Sequence, residues 1–309
     1  MRQLPDKSEF TNITMFHPTK SILSLLTLAL VFCILFPSCG RRTAEEAVET
    51  QAAGYGVFIG AERERLFEIM ESSGELRLAV IEGQEFSAED IRAFKKGGRR
   101  IYGYLNVGSV ETYRDYFDRF RADLLGEYEN WPDEFWIDVS DPDWQRFIAD
   151  EIAGELIGKG IDGFFIDNCD VYYHYERRDI FDGLTAILAR LREYGAPLII
   201  NGGDVFVAKL LTDGKAELID GVNQECVFTR IKDYEKDVLG KQEKSETAYF
   251  TEYLDSVSAA GLRVYLLEYT TDPALMKEIA DYCDRRGFGY CISDSKELDG
   301  DTRTGDMGS

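Results

Sequence analysis

The sequence predicts an α/β protein, a single (β/α)8 barrel that follows an N-terminal signal segment. Three observations carry this reading. From Gly54 onward, short apolar runs rich in β-formers alternate with helical stretches, the pattern of successive βα units around a parallel sheet. The runs number eight, which suits closure. Residues 54–298 come close to the roughly 250 residues of one such domain. In order, the runs are Tyr55 to Gly60, Leu78 to Glu82, Ile101 to Val107, Gly163 to Asn168, Leu198 to Gly202, Val222 to Glu225, Val264 to Tyr269 and Gly289 to Ser293. They show little polar alternation, as expected of strands buried on both faces.

The connections carry their own signals. Ser87-Ala88-Glu89-Asp90 begins a helix that Ser87 can cap and that stops near Gly97-Gly98. Asp141-Pro142-Asp143 begins another, with proline at the tolerated first position, running toward Gly158. Phe135 to Val139 is a ninth extended candidate, placed in a long loop after the third strand. The stretch from Asn168 to Arg178 reads as a loop, and the charged segment Thr229 to Tyr249 as a lid or an extra helix.

Ahead of the barrel, Lys20 precedes an uncharged apolar run from Ser21 to Phe36. That is short of the roughly 20 residues of a spanning helix and has the form of a secretory segment, so residues 1–38 are expected to be a removed signal peptide. Translation could begin at Met1 or Met15. Leu35-Phe36-Pro37-Ser38-Cys39-Gly40 resembles a bacterial lipobox, which makes Cys39 the candidate lipidation site; an ordinary signal peptide with an incidental cysteine is the alternative. Residues 39–53 then form a polar tether and residues 299–309 a flexible C-terminal tail. The expected location is the cell envelope, as a lipoprotein facing the periplasm or exterior, or otherwise secretion.

The net charge of −22 disfavours nucleic acid and anionic lipid, since phosphate contacts need clustered Lys and Arg; a neutral or cationic substrate is easier to accommodate. The only membrane contact expected is through the anchor at Cys39. Past the leader the cysteines are Cys169, Cys226, Cys283 and Cys291, with no metal-site spacing. One or two disulfides and buried thiols both remain open. His174 is the one histidine after the leader, which rules out a multi-histidine metal centre. No metal and no cofactor are expected.

In such barrels the chemistry sits at the C-terminal ends of the strands. Reading those ends gives Glu82, Asn106, Asp167, Asp170, Asn201, Asp204, Glu225, Glu268 and Asp294. An apolar strand such as Gly163 to Asn168 gains nothing in folding from a terminal carboxylate, whose burial costs energy unless it is paired. Glycoside hydrolysis needs two carboxyl groups flanking the bond. Asp167 and Glu225, on the fourth and sixth strands, form the best pair, with structural acids bound to loop backbone as the alternative. Tyr104, Tyr113, Tyr172, Tyr173, Tyr175, Tyr269, Trp131 and Trp136 crowd the same loops, and aromatic faces suit sugars and amino sugars.

With these residues the sequence resembles glycoside hydrolase family 114, the endo-α-1,4-polygalactosaminidase-like TIM barrels. The resemblance is carried by Tyr102-Gly103-Tyr104-Leu105-Asn106-Val107-Gly108-Ser109-Val110-Glu111, by Phe135-Trp136-Ile137-Asp138-Val139 with the following Asp-Pro and Trp144, and by Gly160 to Tyr172. Gly221-Val222-Asn223-Gln224-Glu225, Glu268-Tyr269 and Gly289-Tyr290 follow in order. It implies an exported, endo-acting hydrolase of galactosamine or N-acetylgalactosamine polysaccharide, with Glu225 as acid/base and Asp167 as nucleophile. Glu82, Tyr104, Asn106, Asp138, Asp170, Tyr172, Asn201, Asp204, Glu268 and Tyr269 are then the candidate substrate-binding residues. Glu82 stands where the family pattern leads one to expect aspartate. The alternative is a non-catalytic polysaccharide-binding barrel lipoprotein.

Overall fold

The computed structural model describes residues 54–129 and 131–300. The expected signal peptide, the tether, Cys39 and nearly all of the expected tail lie outside the described residues. The eight apolar runs become eight parallel strands: β1 (Tyr55–Phe58), β2 (Leu78–Ile81), β3 (Arg100–Asn106), β7 (Gly163–Asp167), β8 (Leu198–Asn201), β9 (Gly221–Glu225), β12 (Arg263–Tyr269) and β13 (Gly289–Ser293). They pair in the order β1-β2-β3-β7-β8-β9-β12-β13, and β13 returns beside β1, so the sheet curls into a (β/α)8 barrel.

Because strand side chains alternate, each strand divides its residues between the barrel axis and the helical layer. Tyr55, Val57, Leu78, Val80, Tyr102, Tyr104, Phe165, Ile199, Tyr265, Leu267, Tyr269 and Cys291 pack together inside the barrel. Their neighbours, among them Ile81, Ile101, Phe164, Ile166, Val222 and Leu266, pack outward against helices such as Arg178–Arg192 and Pro273–Arg286. The interior is thus rich in tyrosine, which fills volume while carrying a hydroxyl toward a polar end.

Local signals act as the sequence indicates. Ser87 and Asp90 form a reciprocal capping box on the helix Ala88–Phe94. Asp141 caps Pro142–Arg146, whose helix continues through a π-helical turn, Phe147–Ile152, into Ala153–Lys159 and ends on left-handed Gly160.

Two connections are more ordered than the sequence suggests. Phe135 to Val139 is not plain loop: β6 (Glu134–Ile137) is the central strand of an antiparallel sheet with β4 (Ser109–Glu111) and β5 (Leu124–Glu127). Thr229 to Tyr249 is not one helix or a loose lid: it folds as a hairpin of β10 (Thr229–Asp233) and β11 (Val238–Lys241), followed by the start of the helix Lys244–Ala259. Its alternating charged residues suit a ribbon with one wet face. A single helical turn, Val171–His174, interrupts the expected loop after β7.

Gly108, between β3 and β4, allows the loop after β7 to cross it; a Cβ there would stand 1.8 Å from the Asn168 carbonyl oxygen. All four described cysteines are free thiols. No helix among the described residues is long and apolar enough to cross a membrane.

Candidate active site

The strand tips on the axis side of β3, β7, β8, β9 and β12 carry Tyr104, Asp167, Asn201, Glu225 and Tyr269. One amide joins the two acids: Asn201 Nδ2 donates to Asp167 Oδ1 at 2.9 Å and to Glu225 Oε1 at 2.7 Å. Each acid's other oxygen accepts from a tyrosine, Asp167 Oδ2 from Tyr104 at 2.9 Å and Glu225 Oε2 from Tyr269 at 2.7 Å. Below them Asn223, fully buried, donates to Asn201 Oδ1 at 2.7 Å, and Tyr55 donates to Asn223 Oδ1 at 2.9 Å. Immediately after each acid the backbone turns left-handed, at Asn168 with φ 64° and at Cys226 with φ 57°. Asparagine tolerates that region; a cysteine there marks backbone strain at the turn that aims Glu225.

Burial, with Glu225 close by, pushes the Asp167 pKa up to about 7, against the pull of Asn201 and Tyr104. Burial and the adjacent acids hold the Tyr104 and Tyr269 hydroxyls well above the usual range, so both remain donors. An unfolded aspartate titrates near ~3.9, so between that pH and about 7 the folded state binds the extra proton, and stability falls as pH rises through this window. Asp167→Asn removes a penalty that is largest above pH 7. Thermal melts of variant and parent are expected to show a gain in Tm at pH 8 that shrinks toward pH 4. A gain equal at both pH values would contradict the raised pKa.

Residues 67–304 match the family described as glycoside-hydrolase family GH114. The chain belongs to that family. An uncharacterized protein of Deinococcus radiodurans is 28% identical over 214 residues, a match covering 65% of each chain, so this chain spans just under two thirds of that relative's length. One from Methanocaldococcus jannaschii is 22% identical over 240 residues, covering 71% of this chain and 68% of the other. Among solved structures, the glycoside hydrolase domain of PelA from Pseudomonas aeruginosa superposes with a TM-score of 0.67 at 18% identity, covering 80% of this chain and 96% of that one. Aspergillus fumigatus Ega3 in complex with galactosamine gives 0.61 at 14% identity, covering 81% and 94%. At such identities the likeness concerns the fold.

In this GH114 barrel the remaining expected site residues fall into distinct places. Glu82, at the end of β2, accepts from Arg114 at 2.9 Å, and Arg114 also pairs with Glu111 at 3.1 Å; all three side chains are nearly buried. Asp170 accepts from the Gly203 backbone N–H at 3.0 Å, tying the loop after β7 to the loop after β8. Asp204 opens the helix Asp204–Thr212 and accepts from Tyr249 at 2.5 Å. Asp138 accepts from Ser140 and Arg177 and lines a surface cleft with Asp123 and Pro142, a separate feature from the paired acids. Asp294 follows β13 and is half-buried.

Two expected substrate readers are corrected outright. Glu268 lies between axis-facing Leu267 and Tyr269, so alternation turns it outward. There it is fully buried and accepts from the backbone N–H groups of Val227, Phe228 and Thr229 at 3.0 Å and from the Thr229 hydroxyl at 2.6 Å. Burial still outweighs those donors and pushes its pKa up to about 7. Tyr172 packs against Phe181 and Phe206 in the helical layer. Of the loop aromatics, Trp136 is core, stacked on Tyr128 at 4.3 Å, whereas Tyr113 and Trp131 are exposed. His174 lies over Trp136, 3.4 Å from Glu129.

Asn106 is tied into a network: its Oδ1 accepts from the Ser109 backbone N–H at 3.1 Å and its Nδ2 donates to Glu134 at 3.0 Å. The sequence reading overlooked Glu134, Arg114, Asn223 and Tyr55. For the last two the signal was available, since counting two residues back from Glu225 reaches Asn223, and Tyr55 shares the axis side of β1 with Val57. Arg114 and Glu134 come from the insertion between β3 and β7, where no strand end points to them.

Proposed function

We propose that this chain is an exported glycoside hydrolase that cuts α-1,4-linked galactosamine or N-acetylgalactosamine polysaccharide internally, using Asp167 and Glu225. The observation that carries the reading is the shared amide, because Asn201 holds both acids in one hydrogen-bonded unit at the barrel mouth. Two acceptor oxygens at 2.9 and 2.7 Å from one nitrogen bring the facing edges of the two carboxyl groups together, which supports the retaining route, with its roughly 5–5.5 Å between carboxyl groups, over the inverting one at roughly 6.5–9.5 Å. In that route Asp167 attacks the anomeric carbon while Glu225 protonates the departing oxygen. Glu225 then takes a proton from water, which releases the sugar from Asp167 with its configuration kept. The proton that burial favours on Asp167 must leave before attack, and a cationic sugar beside it favours the ionised form. The net charge of −22 attracts such a polymer. The galactosamine in the Ega3 structure supports the choice of sugar.

The test is incubation with α-1,4-linked galactosamine and N-acetylgalactosamine polymers, followed by mass spectrometry of fragments and NMR of the newborn anomeric proton. Internal fragments with the α-configuration retained are expected. Binding without new reducing ends would make the chain a polysaccharide-binding barrel instead, and β-products would overturn the retaining route. The intact mass of the same protein, recovered from membranes, tests export and anchoring: it should begin at a lipid-modified Cys39.

A further inference from the structure

A third carboxyl group stands beside the pair, and no barrel strand supplies it. Glu134 opens β6 in the inserted sheet. Its Oε1 accepts from Asn106 Nδ2 and Asn168 Nδ2, each at 3.0 Å, and from the Ser109 hydroxyl. Three donors on one oxygen fix the side chain's rotamer. Among the described residues no donor reaches Oε2, and that oxygen is not sealed in the interior.

Its position follows from the ladder. Asn106 on β3 is the register partner of Asp167 on β7, so both side chains leave adjacent strands toward the same side, and Glu134 is bonded to the first of them. Its charge acts on both Asp167 and Tyr104. A carboxyl group placed here is unfavourable for stability, since burial, and the charge of Glu111 after it, oppose its ionisation. Holding the three donors requires only one carbonyl-type oxygen, which a neutral glutamine would supply. The second oxygen is surplus to the fold.

We propose that Glu134 recognises the C2 ammonium of the sugar whose anomeric carbon faces Asp167, and so selects the free amine over the N-acetyl form. C2 is bonded to the reacting carbon, so its substituent stays beside Asp167, and Glu134, whose charge acts on Asp167, is the neighbouring acid with an oxygen that no donor among the described residues holds. An ammonium group offers a charge-assisted hydrogen bond to that oxygen, whereas an acetamide is neutral and bulkier. This assignment rests on the amino-sugar reading above and refines it.

The experiment measures binding of galactosamine, N-acetylgalactosamine and galactose to the parent and to Glu134→Gln by titration NMR at pH 7. The parent should prefer galactosamine. In the variant galactosamine should bind roughly 10- to 100-fold more weakly, the loss of one hydrogen bond to a charged group, while the neutral sugars change less than about twofold. Equal affinity of the parent for all three sugars, equal losses for all in the variant, or no loss would each overturn the assignment. Cleavage assays separate it from the hydrolase reading. Binding preference without chain cutting defeats only the hydrolysis, whereas cutting whose preference for deacetylated polymer survives in Glu134→Gln defeats only the role of Glu134.

Discussion

Asp167→Asn and Glu225→Gln should each lower kcat on an α-1,4-galactosamine polymer by at least about 10³-fold while leaving a folded, cooperatively melting protein. Each replacement keeps a carbonyl oxygen to accept from Asn201 and removes the group proposed to attack or to transfer a proton. The two losses should not add in the double variant, because in the proposed mechanism the acids act on one bond as a unit. A substrate with a good leaving group divides their roles. Glu225→Gln should recover much of its rate in forming the glycosyl-enzyme with such a substrate, since protonation matters less, and Asp167→Asn should not. Steady-state and burst kinetics on an activated aryl glycoside would show this. Unimpaired release of fragments by either variant sinks the assignment of that residue, and the opposite pattern of recovery would exchange their roles.

The largest loss of stability is expected at an acid turned away from the barrel axis. Glu268→Ala leaves three buried backbone N–H groups and a threonine hydroxyl without their acceptor. Such groups cost about 1–3 kcal/mol each when left unpaired, and relaxation or entering water recovers part of that. A net loss of about 3–5 kcal/mol is a large share of the roughly 5–15 kcal/mol that keeps a domain folded. At about 2–4 °C per kcal/mol for a large domain, Tm should fall by roughly 10 °C, read by differential scanning fluorimetry. The released segment begins two residues after Glu225, so what folded enzyme remains should also be slower. A Tm within about 2 °C of the parent would contradict the structural role.

The barrel was legible because parallel strands covered on both sides leave uninterrupted apolar runs, and no other short element does so eight times at these intervals. That Asp167 and Glu225 come together at the barrel mouth was legible because each ends such a run where a charge serves no packing purpose. Glu268 misled for a physical reason: nearness to a strand end was weighed, but its facing was not, and alternation from Tyr265 through Leu267 to Tyr269 sends it to the other side. Tyr172 follows β7, the strand that ends in Asp167, yet its single helical turn directs it against Phe181 and Phe206. Glu134 was hidden because the inserted antiparallel sheet has short strands with half-wet faces, and its role depends on partners 25 to 34 positions away in sequence. The hairpin Thr229–Lys241 was obscured by its charge, which reads as a solvated segment whatever its backbone does.

Tyr55, Asn223 and Asn201 have a shared direction. The tyrosine hydroxyl occupies the oxygen of one amide, that amide's nitrogen occupies the oxygen of the next, and the last nitrogen faces the two acids. Neither amide in this column can flip without setting oxygen against oxygen or donor against donor. The inside of the barrel therefore behaves as a frozen solvent, presenting positive dipole ends to the carboxylates before any sugar arrives. Water would have to reorient to do the same as charge moves between them, and this column already points the right way.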